Sequence, residues 1–214
     1  MIDAAERLIA EKGLGALSLR EVATEAGQRN HSAVQYHFGS RAGLVEAVFD
    51  VRMTPIDARR AEMLEALEAR GATDDLWALS DVFVRPLGEA VLLQQPGWYG
   101  RFLVEVDRSE PALLRAERTA MRSLNRVAVL MVEGMDAVPR PIRAERIRMA
   151  VRAATSMFAE VETELAGATG GGGPSPAHRP ELFIAHVVDL VHAMVAAPPS
   201  DALAVELRAA RLAR

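Results

Sequence analysis

Residues 18–44 read SLREVATEAGQRNHSAVQYHFGSRAGL, and this stretch decides the fold. Ser18 and Glu21 stand at capping-box spacing, where each side chain can satisfy the other residue's orphaned amide, so a helix is predicted to start at Leu19. Leu19, Val22, Ala23 and Ala26 recur at i, i+3, i+4 and i+7 as one apolar stripe, with Arg20, Glu21, Thr24 and Glu25 on the other side. Gly27 ends this helix, because glycine takes the left-handed conformation common at helix exits. Gln28 and Arg29 follow, and Asn30 is a good N-cap for a second short helix over residues 31–37. Two short helices joined by a glycine turn form a helix-turn-helix.

The second short helix turns Val34 and Phe38 inward, which distributes His31, Ser32, Gln35 and Tyr36 over its outer faces. Short donors, short acceptors and a flat ring suit base edges in a major groove, where each base pair has its own donor and acceptor pattern. Gln35 suits adenine, and Tyr36 and His37 suit sugar and phosphate. Gly39 closes the helix and Ser40 caps the next one. Arg41 then falls in a first turn whose amides already favour a phosphate, which makes it the expected backbone clamp.

Ahead of this unit lies IDAAERLIAEKG, and residues 2–49 as a whole resemble the DNA-binding domain of the tetracycline repressor (TetR) family: an opening helix, then SLREVATEAG, then a short helix ending YHFGSR. The chain departs from the common family pattern at two places. Gln28, Arg29 and Asn30 stand where a valine and a serine are usual, and Gln35 replaces a frequent tyrosine. The resemblance implies DNA contacts at Ser18, Arg20, Tyr36, His37 and Arg41, and also, across the lengthened turn, at Gln28, Arg29, Asn30, His31, Ser32 and Ala33.

Charge does not advertise a nucleic-acid partner. The chain has 25 basic and 29 acidic residues, a formal net charge of -4 and a pI of about 5.8. Residues 1–52 carry six basic side chains against seven acidic ones, but Arg20, Arg29 and Arg41 cluster with His31 and His37 on the proposed contact surface. The length of 214 residues and 50% hydrophobic content suffice for a small domain and a medium one. Without a cysteine there is no disulfide framework, thiolate nucleophile or cysteine-based zinc site, and a reducing cytoplasm is the expected setting. No apolar run reaches the roughly 18 residues of a membrane span, so no membrane partner is expected.

Beyond Phe49 the pattern stays helical, with helices expected near 40–70, 74–94, 97–107, 110–135, 140–166, 180–197 and 200–213. The expected fold is all-α with about ten helices: a helix-turn-helix domain over 1–49 and a helical ligand-binding and dimerisation domain over 50–214. Trp98, Tyr99, Phe102, Met121, Leu124, Met157 and Phe158 concentrate aromatic and soft side chains suited to a small apolar ligand, although apolar residues at helical spacing need no ligand to explain them and ordinary core packing is the favoured reading of each taken singly.

Residues 142–165 and 182–195 carry apolar faces, Ile147, Ala150, Val151, Ala154, Met157, Phe158 and Val161 on one, Phe183, Val187, Leu190, Val191 and Met194 on the other. By the resemblance these pair with their mates in a homodimer, which sets two recognition helices roughly 34 Å apart on a pseudo-palindromic double-stranded DNA operator. The run GATGGGGPSPAHRP between them reads as a loop. The resemblance thus implies a transcriptional regulator, a repressor released by ligand.

The competing class is a helical enzyme or a protein-interaction module without DNA. His186, Asp189 and His192 share one side of a helix, but no further ligand converges on them, so no metal site is expected. Gly170–Gly173 lacks the strand and helix context of a phosphate loop, and no catalytic signature or cofactor motif stands out. An interaction module would leave the polar short helix unexplained.

Overall fold

The computed structural model describes residues 1–28, 30, 32–94, 97–112, 119–167 and 179–212. The described residues are helical, with no strand among them. The order is α1 (Ile2–Lys12), a 3-10 turn (Leu14–Ala16), α2 (Leu19–Glu25), α3 (Ser32–Phe38), α4 (Arg41–Ala69), α5 (Leu76–Leu92) and α6 (Tyr99–Ser109). A second 3-10 turn (Thr119–Met121) leads into α7 (Arg122–Gly134), followed by α8 (Arg140–Gly167), α9 (Pro180–Ala196) and α10 (Asp201–Leu212).

The amino-terminal three helices close over their own core. Ala5, Leu8 and Ile9 of α1, Val22 and Ala23 of α2 and Val34 of α3 are buried together with Leu44, Val45 and Val48 at the start of α4. α4 continues unbroken from this domain into the next, through Pro55. Beyond it the apolar α5 is the hub, packed against α4, α7, α8 and α9. Asp75 starts that helix by accepting from the amides of Trp77 and Ala78 at 2.9 and 3.0 Å.

Three expectations need correction. The short helix runs Ser32–Phe38, one residue later at each end than the spacing suggests. The single helix expected over 110–135 is instead a 3-10 turn and then α7 from Arg122, with residues 113–118 outside the described residues. The apolar positions expected at a dimer seam mostly face inward. Ile147, Ala150, Ala154, Phe158 and Val161 of α8 and Val187 and Val191 of α9 are buried within the chain, Val151, Met157, Phe183 and Met194 are partly buried, and Leu190 is exposed. The reason is that α8 packs on α6, α9 and α5, and α9 packs on α5 and α8, which spends these faces inside the chain. The glycine-rich run over 168–178 lies outside the described residues.

Two helices begin on carboxylates borrowed from elsewhere. α6 and α7 have no side-chain cap of their own. Glu162 of α8 accepts from the amides of Gly100 and Arg101 at 3.1 and 3.0 Å, and Asp57 of α4 accepts from those of Ser123 and Leu124, both at 2.9 Å. Each thereby satisfies two of the orphaned amides of a helix start and opposes the positive end of its dipole. Asp57 also holds the guanidinium of the fully buried Arg60 at 3.1 Å, and Arg60 donates further to the carbonyl of Phe83 at 3.3 Å.

Candidate DNA-binding surface and interdomain cavity

The exit of α2 fixes where α3 starts. Gly27 has φ +65°, the Gly27 amide donates to Thr24 at 3.0 Å and the Gln28 amide to Ala23 at 2.9 Å, the paired bonds of a Schellman turn. Ser18 stands at the N-cap of α2, but its side chain makes no cap hydrogen bond. The capping box does not form, because Glu21 is drawn to the ammonium of Lys12 instead.

Within α3, Val34 is fully buried and Phe38 packs half-buried against the same core, so Gln35, Tyr36 and His37 face water. Tyr36 is 86% exposed, an unusual position for a large ring that nothing in the chain covers. Its ring meets that of His37 edge-on, centroids 5.5 Å apart. Gln35 donates to the carbonyl of Gly39, and Gln28 to that of Ala26 at 3.5 Å. Ser18, Arg20 and Asn30 are also exposed. Arg29 and His31 lie outside the described residues, as do the side chains of Ser32 and Ala33.

Ser40 caps α4 as expected, accepting from the Gly43 amide at 3.0 Å. Arg41 is not free for phosphate in this structure. Its guanidinium donates to the Leu14 carbonyl at 3.3 Å and pairs at 3.6 Å with Glu110, just past α6. A second strut from α6 lies beside it: Glu105 accepts from the Leu14 amide at 2.9 Å. Burial pushes the Glu105 carboxyl up, but hydrogen bonds from Arg108, Leu14 and Ser109 outweigh it and hold the group below its ordinary value. The carboxyl-terminal end of α6 is thus bonded to the Leu14 turn and to the start of α4.

The other end of α6 borders a cavity of about 300 Å³ where α1, α4 and α5 meet. Asp3, Glu6, Arg52, Arg59, Glu89 and Glu162 bring charge to it, while Val51, Pro55, Ile56, Pro86, Ala90, Trp98 and Tyr99 supply apolar and aromatic wall. Arg52 joins Glu6 and Asp3, both at 2.5 Å. Burial raises the carboxyls of Glu6 and Glu162 above the ordinary range; Arg52 opposes the shift at Glu6, and the amides of Arg101 and Gly100 oppose it at Glu162. Burial likewise raises the Tyr99 phenol, which keeps it protonated.

Residues 1–48, which hold α1 to α3 and the start of α4, match the family model for bacterial regulatory proteins of the tetR family. Over these residues the chain is similar to the DNA-binding part of that family of transcriptional regulators. No curated protein matches it.

Of the side chains expected to hold a ligand, Trp98 and Tyr99 line the interdomain cavity. Phe102 is fully buried with its ring stacked on Tyr99, centroids 5.7 Å apart, and Phe158 is fully buried edge-on to Phe183 at 6.3 Å. Met121 is buried, and Leu124 and Met157 pack partly buried against the core. Sequence reasoning missed Glu6, Arg52, Glu110 and Glu162, whose partners lie far along the chain. Asp189 accepts from the Trp77 indole at 2.8 Å, which gives one member of the His186, Asp189 and His192 group a structural partner.

Proposed function

We propose that the regulator is a homodimeric repressor that binds a pseudo-palindromic duplex in the cytoplasm, where its DNA is, and leaves it when a small, largely apolar ligand enters the carboxyl-terminal domain. One observation carries the DNA half of this reading: α3 stands on a buried Val34 and presents Tyr36, 86% exposed, between Gln35 and His37. A recognition helix needs a rigid inner face and a polar, uncovered outer one. Regulation is supported by α6, which joins the cavity at one end to Leu14 and Arg41 at the other. A ligand that favours a different position of α6 lowers DNA affinity by the same coupling free energy with which DNA lowers ligand affinity.

Pairing of copies is supported by apolar side chains left uncovered on α8 and α9, Met149, Leu182 and Leu190. The test is selection of genomic fragments by the full-length protein, followed by binding of the enriched duplex. Tyr36→Ala and Arg41→Ala are expected to abolish binding while light scattering still reports the dimer. Enrichment of no common sequence, or unchanged binding by both variants, would overturn the reading.

A further inference from the structure

The cavity between the two domains holds more negative than positive charge. Asp3, Glu6, Glu89 and Glu162 line it against Arg52 and Arg59, and adding Arg101, which reaches Glu162 at 3.3 Å, still leaves four carboxylates to three guanidiniums. The guanidiniums are already committed: Arg52 to Asp3 and Glu6, Arg59 to Glu62 and Glu89, Arg101 to Glu162. Glu6 also feels Asp3 and Glu162 as repelling charges.

Tyr99 supplies an independent observation. It is 5% exposed, it lines the cavity, and its hydroxyl has no hydrogen-bond partner among the described residues. A buried hydroxyl without a partner is uncommon, because it forfeits its bonds to water for nothing. Its neighbours in charge are Glu6 and Arg52, which line the same cavity. Trp98, beside it, offers an aromatic face of the kind that attracts cations.

We propose that this cavity binds an organic cation: an ammonium carried on a short apolar skeleton, its charge taken by Glu6, Glu162 and the Tyr99 hydroxyl, its skeleton lying against Trp98, Pro55 and Pro86. The volume of about 300 Å³ stands at the small end of ligand sites. An anion meets net repulsion there, whereas an ammonium offsets the carboxylate left in surplus. This narrows the ligand of the proposed repressor to one bearing positive charge, and it rests on that reading for its regulatory consequence. The route is short, since Glu6 is on α1 and Tyr99 opens α6.

The test is calorimetric titration of the full-length protein at pH 7 with 4-phenylbutylamine, 4-phenylbutanol and 4-phenylbutyrate, one skeleton in three charge states. The amine is expected to bind about tenfold more tightly than the alcohol, the scale of one charged hydrogen bond, and the carboxylate to give no heat. Tyr99→Phe removes a hydroxyl that has no partner in the unliganded protein, so it keeps the melting temperature and weakens the amine severalfold without changing the alcohol. Glu89→Gln, at the cavity rim, weakens the amine as well.

Equal affinity for amine and alcohol, no heat from the amine, or amine binding untouched by both variants would overturn the site. A separate measurement follows the selected duplex by fluorescence polarisation. Charge-selective amine binding that leaves DNA affinity unchanged upholds the site and sinks ligand-controlled repression. DNA release by the alcohol without any preference for the amine upholds that control and sinks the cation site.

Discussion

Gly43 fixes α3 to the start of α4. A Cβ at this position would overlap the backbone carbonyl oxygen of Phe38, which cannot swing aside as a side chain can. Gly43→Ala is therefore expected to displace α3 at an overpacking cost of about 1–3 kcal/mol and to cut DNA affinity by about tenfold or more. Polarisation of the selected duplex measures the loss, with far-UV circular dichroism confirming that helix content is kept.

Glu6 gives a second prediction at this scale. Its carboxyl is raised by burial, against the opposition of Arg52. Between the ordinary value near 4.5 and the raised value, the folded protein therefore holds more protons than the unfolded chain at this residue, so its contribution to stability falls as pH rises through that window. Glu6→Gln cannot titrate and removes the effect. The urea midpoint of the native protein, taken relative to that of Glu6→Gln, is expected to decline as pH rises above the ordinary value of 4.5.

At the scale of helices, α6 works as a bar held at both ends. Glu110 competes with phosphate for Arg41, so Glu110→Ala is expected to raise DNA affinity severalfold. Unchanged affinity would show that Arg41 does not move to the backbone. Asp57→Ala strands the buried Arg60 and uncaps α7, which puts its cost near the 3–5 kcal/mol of a broken buried pair. Thermal unfolding is expected to show a large fall in midpoint.

These elements also mark what the sequence discloses. Gly27, Ser40, Val34 and the turn-separated helices were legible because each acts on residues within one or two turns of itself. The Ser18–Glu21 box misled because its acid has a stronger partner in Lys12, which local spacing does not register. Asp57, Glu105 and Glu162 act on helices far along the chain, and no periodicity announces such a partner. The cavity was only half visible: its aromatics Trp98 and Tyr99 stood out by composition, whereas its acids come from α1, α5 and α8 and meet only in the fold.

For the molecule as a whole, the charge near the recognition helix is scarce. Arg7, Lys12, Arg41 and Arg52 are all paired with carboxylates. Few cations are left to release counterions from a duplex, so discrimination has to come from base and shape contacts rather than from phosphate attraction. In the proposed homodimer the second copy compensates, because the second half-site is then bound at high effective concentration. Leu182→Glu combined with Leu190→Glu places charge on the uncovered face of α9. Light scattering is expected to report a monomer, and affinity for the palindromic duplex to fall about a hundredfold or more while a single half-site is bound as before.

Glu162 lies some sixty residues beyond the amides it caps. During synthesis α6 leaves the ribosome long before that carboxylate does, and until then the amides of Gly100 and Arg101 have only water to answer them. A nascent chain stalled in the glycine-rich run, with α8 still in the exit tunnel, has its DNA-reading end complete and the wall of the cavity unsecured. The wall of the cavity is therefore secured late in translation, after the three amino-terminal helices are complete.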